Sequence, residues 1–195
     1  PSSVNHIALE QCGQKSIKSV IIISAGYKEV WEAGLQKEKQ LVEIARKYDM
    51  SFIGPNCLGI YFPAKVDTFF IPSERMVQPS AGNVALVSKS GGILVDQMVK
   101  FADEGIGLSL AVSIGNKAMI RDLDLLRYLI KNSNSKVIAF YVEGFEKNEG
   151  RDFVLAASEC AKPIIVLKAG KSSGGRRAVS SHTASLAGDY DVFHQ

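Results

Sequence analysis

His182 stands late in the run Lys168–Gly188, KAGKSSGGRRAVSSHTASLAG. A neutral imidazole attacks a phosphoryl group through one ring nitrogen when an acceptor holds the other and so fixes tautomer and orientation. The run supplies Lys168, Lys171, Arg176 and Arg177 before the histidine. Those cations favour an anionic group, and the Gly/Ser composition lets the segment carry that group between places. The plainer alternative is a solvated linker with an uninvolved histidine. Gly170-Lys171-Ser172 imitates the end of a Walker phosphate loop, but that pattern needs a glycine five positions before Gly170, where Ile165 stands. A P-loop NTPase is therefore excluded. Glu143 closes an otherwise apolar run, VIAFYVEG. It is either a solvent-facing strand end or the carboxylate that an attacking imidazole needs.

A second chemical candidate is the turn Ser88-Lys89-Ser90-Gly91-Gly92, between a β-branched run and a helical pattern. Free backbone N–H groups at a helix start, with the helix dipole behind them, make an anion site, and glycine allows close approach. Its alternative is a tight turn with a serine cap. Cys57, in GPNC, has no histidine near it in sequence to act as base, so a small buried packing residue is the simpler reading. His6 and His194 have no supporting context.

The elements that must position these groups alternate. Short apolar runs at 19–24, 51–54, 83–87, 109–114, 137–142 and 164–167 read as strands covered on both faces. Helical patterns fall at 34–48, 92–104, 122–131 (with Asp122 as its N-cap) and 149–161, the last ending before Pro163. Alternation of this kind predicts an α/β fold with a doubly wound parallel sheet. In such sheets ligands sit beyond the carboxyl ends of the strands. That rim collects Ser24-Ala25-Gly26, Pro55-Asn56-Cys57, the Ser88–Gly92 turn, Gly115-Asn116-Lys117, Glu143-Gly144 and the His182 loop. The strands before Glu143 and before the His182 loop are consecutive, so they can be neighbours. The stretch 61–82, with Pro63, Pro72 and Pro79, breaks the rhythm and marks a domain boundary.

Composition narrows the partners. With 46% hydrophobic and 22% charged residues a buried core forms readily, and a net charge of +3 without a dense Lys/Arg face argues against nucleic acid. Three dispersed cysteines (Cys12, Cys57, Cys160) form no C-x-x-C pair, so no zinc site or disulfide framework is indicated, and a reducing compartment fits. No apolar run reaches the roughly 20 residues that span a bilayer. The opening at Pro1 and the stop at Gln195 suggest an excised piece of a longer protein.

Five blocks in collinear order, GPNCLGI (54–60), ALVSKSGG (85–92), VSIGNKA (112–118), YVEG (141–144) and KPIIVLKAGKS…SSHTASLAG (162–188), resemble the ADP-forming (NDP-forming) acyl-CoA synthetases, relatives of the succinyl-CoA synthetase α subunit. The resemblance covers essentially the whole chain. It implies that 1–62 is the C-terminal part of a Rossmann-type domain binding coenzyme A, 63–81 a linker and 82–195 a flavodoxin-like domain with the phosphohistidine loop. It implies His182 as the phosphorylated residue, Glu143 as its supporting carboxylate, and Ser88, Ser90, Gly91 and Gly92 as the phosphate cradle. Asn56 and Cys57 match the region near the coenzyme A thiol, and Ser24 and Gly26 on the same rim join them as candidate contacts. Acyl-CoA and phosphate are the expected ligands here. ADP/ATP and Mg2+ are expected in an ATP-grasp domain or β subunit outside this chain, with no metal site in this piece. The expected protein is an oligomeric, cytoplasmic ligase free of nucleic acid and membrane. Ala184 departs from the pattern, which usually has glycine there. The rival is a non-catalytic acyl-CoA-sensing domain of a protein acetyltransferase, in which the loop histidine is typically lost.

Overall fold

The computed structural model describes residues 1–72, 76–146 and 148–170. His182, its loop and Ala184 lie outside the described residues. Five α-helices are described: α1 (Asn5–Gln14), α2 (Trp31–Lys47), α3 (Gly91–Asp103), α4 (Asp122–Lys131) and α5 (Glu149–Ser158). The strands are β1 (Ser19–Ile21), β2 (Ser51–Ile53), β3 (Gly59–Phe62), β4 (Val66–Asp67), β5 (Ala81–Ser88), β6 (Leu108–Ser113), β7 (Val137–Val142) and β8 (Ile164–Lys168). No helix among the described residues is long and apolar enough to cross a membrane.

The larger sheet runs β4-β3-β6-β5-β7-β8, and its four strands β6, β5, β7 and β8 are parallel. Alternate residues of β5 face opposite ways, as the two-residue period of a strand requires. Ala85 and Val87 enter one core with Leu110, Val112, Ile138 and Phe140 under Leu126 and Leu129 of α4 and Phe153 of α5. Leu86 enters the other with Leu108 and Ala111 under Leu94 and Met98 of α3. Helices thus cover both faces, and the sheet is flavodoxin-like and doubly wound, as the alternation predicts.

Chain order along this sheet reverses at β5, whose two neighbours are β6 and β7. The β5/β7 seam is therefore the topological switch point, where the carboxyl ends open a crevice. Polar residues after β5 and β7 meet there because both strands are parallel and in register, Ser88 beside Tyr141.

The sheet is not parallel throughout. β3 pairs antiparallel with β6, and β4 antiparallel with β3. The 59–67 segment, whose prolines and short runs hide it from an α/β periodicity, thus supplies the edge of the larger sheet. Its connection continues through Tyr61, which donates from its hydroxyl to the Pro79 carbonyl. The first 54 residues carry their own small sheet, β1 parallel to β2, with α1 and α2. Leu9, Ile22, Tyr27, Leu41, Ala45, Met50 and Phe52 form its core, and Ala118 and Met119, beyond β6, pack against it. Helix α1 goes unseen in the sequence because it has no side-chain cap, no acidic first turn and no basic last turn. Asp122, expected as the α4 N-cap, is instead its first helical residue. Arg121 takes the cap position, while the Asp122 carboxylate turns to a buried lysine described below.

Phe140 is 2% exposed and meets Phe153 edge-on, ring centroids 5.1 Å apart at 87°. Replacing it removes both the transfer energy and that contact. Phe140→Ala is expected to cost about 3–5 kcal/mol of stability in chemical denaturation, the largest loss among single truncations of β7.

Candidate active site

The sequence after β5 folds back on itself. Ser88 is buried, and its hydroxyl donates to the Ser90 carbonyl at 2.7 Å. Ser90 is the N-cap of α3: its Oγ accepts from the Ile93 backbone N–H at 3.4 Å. Both serines therefore shape the turn, so the serine-cap reading holds and the first N–H groups of α3 face the rim. Gly91 and Gly92 open α3. A Cβ on Gly92 would meet nothing within 4 Å, so the backbone there is bare toward open space, the approach an anion needs.

Lys89, between those serines, is 6% exposed and gives its ammonium to Glu143 Oε2 at 2.7 Å. Glu143, 4% exposed, is no solvent-facing strand end. The ion pair spans the switch point, one partner following β5 and the other β7. Burial pushes the Lys89 ammonium below its ordinary range, and the Glu143 charge and hydrogen bond offset part of that. Lys168, at the end of β8, donates to the Glu143 carbonyl at 2.9 Å, and burial lowers its pKa as well. A second buried pair lies beside the first: Lys117 Nζ donates to Asp122 Oδ2 at 2.5 Å and to the Gly144 carbonyl at 2.6 Å. Burial raises the Asp122 carboxyl above its usual range, though Lys117 opposes that. The lysines were legible only as rim residues; their pairing needed the fold.

Across the rim from α3 lies the GPNC loop. The Asn56 N–H donates to the Ser24 carbonyl, Asn116 N–H to Pro55, and Ala118 N–H to Gly54, so this loop is threaded between the two units by backbone hydrogen bonds. Gly115 (φ +54) is required where it stands, since a Cβ there would lie 2.3 Å from the carbonyl oxygens of Pro55 and Asn56. A cavity of about 540 Å³ opens between the units, lined by Ile23, Ala25, Asn56, Cys57, Leu58, Phe70, Ile71, Gly91 and Gly92 among others. Its walls are mostly apolar, with the Asn56 amide, the Asp96 carboxylate and the start of α3 as polar points, a lining that suits a ligand with an apolar arm. Asn56, Cys57, Gly91 and Gly92 thus share one cavity. Ser24 and Gly26 act through their backbone, Gly26 N–H donating to Glu29 Oε1. No group of three or more His, Cys, Asp or Glu among the described residues could hold a metal ion. The partnership of Glu143 with His182 lies outside the described residues. The strands leading to each, β7 and β8, are parallel neighbours.

Cys57 is 5% exposed, its thiol directed at the Ile22 carbonyl 3.4 Å away, and burial pushes its pKa up to about 12. At pH 8 almost none of it is thiolate, so iodoacetamide is expected to label the half-buried Cys12 and Cys160 well before Cys57 in time-resolved peptide mapping. Glu143→Ala removes the carboxylate facing a buried ammonium and is expected to destabilise by about 3–5 kcal/mol, with Glu143→Gln costing less because it keeps an acceptor oxygen. Denaturant titration of the two variants checks this.

Comparison with known proteins gives this arrangement a lineage. The α subunit of an ADP-forming acetate–CoA ligase I from Pyrococcus furiosus is 46% identical over 188 residues, covering 95% of this chain and 39% of that subunit. An ADP-forming acetate–CoA ligase I from Archaeoglobus fulgidus is 40% identical over 195 residues, covering 99% of this chain and 28% of that protein. The structure of the dinucleotide-forming acetyl-coenzyme A synthetase 1 of Ca. Korarchaeum cryptofilum, in complex with phosphate and ADP, superposes with a TM-score of 0.89 at 38% identity, over all of this chain and 41% of that one. The chain therefore spans well under half the length of these relatives. Residues 81–195, more than half of the chain, match the family described as the succinyl-CoA ligase like flavodoxin domain, and the chain belongs to that family.

Proposed function

We propose that this chain is the acyl-transfer and phosphohistidine part of an ADP-forming acyl-CoA synthetase, which interconverts acyl-CoA, phosphate and ADP with acid, coenzyme A and ATP. The observation that carries the reading is one rim holding a bare α3 terminus, a buried Glu143 and a cavity between two units. Residues 1–62 are read as the end of a Rossmann-type coenzyme A domain, 63–81 as linker and 82–195 as the flavodoxin-like domain bearing the His182 loop. Strands β3 and β4 pair in the larger sheet, so the border between the units falls before Gly59 and part of 63–81 is sheet edge rather than linker.

In the proposed chemistry a phosphate oxygen, held by the N–H groups of Ser90, Gly91 and Gly92, attacks the thioester carbonyl carbon. The C–S bond breaks and coenzyme A leaves as thiolate, taking a proton from solvent. Backbone N–H groups and the helix dipole favour the charge gathered on the phosphate. A nitrogen of His182 then attacks phosphorus, the bond to the acyl oxygen breaks, and the carboxylic acid leaves as its anion. Glu143 accepts a hydrogen bond from the other ring nitrogen and balances the positive ring. The phosphoryl group passes to ADP in an ATP-grasp domain or β subunit, where Mg2+ would screen the nucleotide phosphates. The protein is read as a cytoplasmic oligomer. The sensing alternative is not favoured, since the relatives above bear ligase names and His182 is present.

The complete protein with its ATP-grasp part, given ATP and Mg2+, is expected to carry acid-labile, base-stable phosphate on the His182 peptide. His182→Ala is expected to abolish the label. Absence of label in a protein that still binds acyl-CoA would replace ligation with sensing.

A further inference from the structure

Asn116 stands where a side-chain amide has no freedom of orientation. Its Nδ2 donates to Glu29 Oε2 at 2.5 Å and to Glu38 Oε2 at 2.9 Å, which uses both amide hydrogens. The reverse orientation would set a carbonyl oxygen against two carboxylates. Both carboxylates are themselves fixed. Glu29 accepts through Oε1 from the N–H groups of Gly26 and Tyr27, and Glu38, 5% exposed, faces Lys28 at 3.7 Å. Burial works against Glu29 as an anion, yet the hydrogen bonds from Asn116, Gly26 and Tyr27 prevail and hold its carboxyl below the usual range.

With its nitrogen committed, Asn116 presents Oδ1 to the Asn56 Nδ2, 3.4 Å away. That contact sets the second amide in turn: the nitrogen of Asn56 faces Asn116, and its Oδ1 is left as the acceptor it brings to the cavity it lines. We infer that Glu29 and Glu38 are positioning residues, acting through Asn116 to turn the Asn56 carbonyl oxygen toward the cavity. On the Asn56 side of the cavity, across from Asp96 of α3, the polar point is then an acceptor, suited to a ligand N–H or S–H, both of which the thiol-terminated amide arm of coenzyme A carries. The inference rests on the acyl-CoA reading of the cavity.

Glu29→Gln tests it at nearly constant shape. The substituted side chain has one acceptor oxygen, and the two backbone N–H groups of Gly26 and Tyr27 claim it. Its amide nitrogen then faces Asn116 as a donor, favouring the flipped Asn116 and, through it, a flipped Asn56. Dissociation constants for coenzyme A and acetyl-CoA would be measured by calorimetry on the complete protein. The set is wild type, Glu29→Gln, Glu29→Gln/Glu38→Gln, Asn56→Ala and Glu29→Gln/Asn56→Ala, with inorganic phosphate titrated in parallel.

The expected result is about tenfold weaker coenzyme A binding in Glu29→Gln, roughly the loss of one hydrogen bond. No further loss is expected when Asn56 is already alanine, and phosphate affinity should hold throughout. Weakening of both coenzyme A and acetyl-CoA supports the relay with an amide donor, and weakening of coenzyme A alone supports it with the thiol. Equal weakening in both backgrounds, no weakening, or a parallel loss of phosphate affinity overturns the relay while leaving the cavity assignment in place. A wild-type protein that binds neither thiol nor thioester overturns the acyl-CoA reading and the relay together. If Glu29→Gln does not fold, Asn116→Leu, which deletes the relay at its centre, is put through the same cycle with Asn56→Ala.

Discussion

The buried pair of Lys89 and Glu143 governs the shape of the rim. Two charges that leave water at the end of two central strands each carry a desolvation cost of several kcal/mol, which only a well-placed partner offsets. The partner is well placed because β5 and β7 are parallel and in register. A slip of one residue would turn Lys89 or Glu143 into the apolar layers under α3 or α4. The pair therefore locks the carboxyl ends of β5 and β7 together at the switch point. Lys117, Asp122 and the Gly144 carbonyl repeat the arrangement one loop further on, so charge of both signs is held dry along the crevice and fixed before any ligand arrives.

The seam between the two units is the second constraint. It joins backbone to backbone through the carbonyls of Gly54 and Pro55 on one side, which accept from the N–H groups of Ala118 and Asn116 on the other. Side chains then cross it: Asn116 reaches Glu29 and Glu38, and Lys28 lies 3.6 Å from Glu146. The buried contacts among these, those of Asn116, contribute little net stability but are expensive to leave half made. They specify one docking geometry and so fix the cavity whose walls come from both units.

Much of this was legible in the residues. Apolar runs covered on both faces have few alternatives to a parallel sheet, so β1, β2, β5, β6, β7 and β8 and the helices between them follow from period and flanking residues. The rim followed from strand ends alone. What stayed hidden depended on contacts distant in sequence. Glu38 sits in a Lys/Glu-rich helix and reads as part of a wet face, yet it is buried because Asn116, 78 residues away, comes to it. Lys89 read only as a rim residue for the same reason, its partner Glu143 lying 54 residues on, and Lys117 read as one although Asp122 follows it by five residues. One signal was available: Lys89 and Glu143 each follow the end of an apolar strand directly, so adjacency of those strands alone would pair them. Strands β3 and β4 were missed because they lie in a proline-interrupted stretch read as a boundary and pair antiparallel, outside the alternating strand–helix rhythm.

A carboxylate that is to support an attacking imidazole must stay ionised in a site dry enough for phosphoryl transfer, and dryness alone would favour the protonated acid. The fold places a buried ammonium against one oxygen of Glu143. Under the proposed function phosphate and carboxylate, both negative, would share one crevice, with Lys89 on the turn assigned to the first and paired with the second. On this argument Lys89, between the two serines of the α3 turn and paired with Glu143, rather than the loop cations, is the residue that links the two halves of the proposed site.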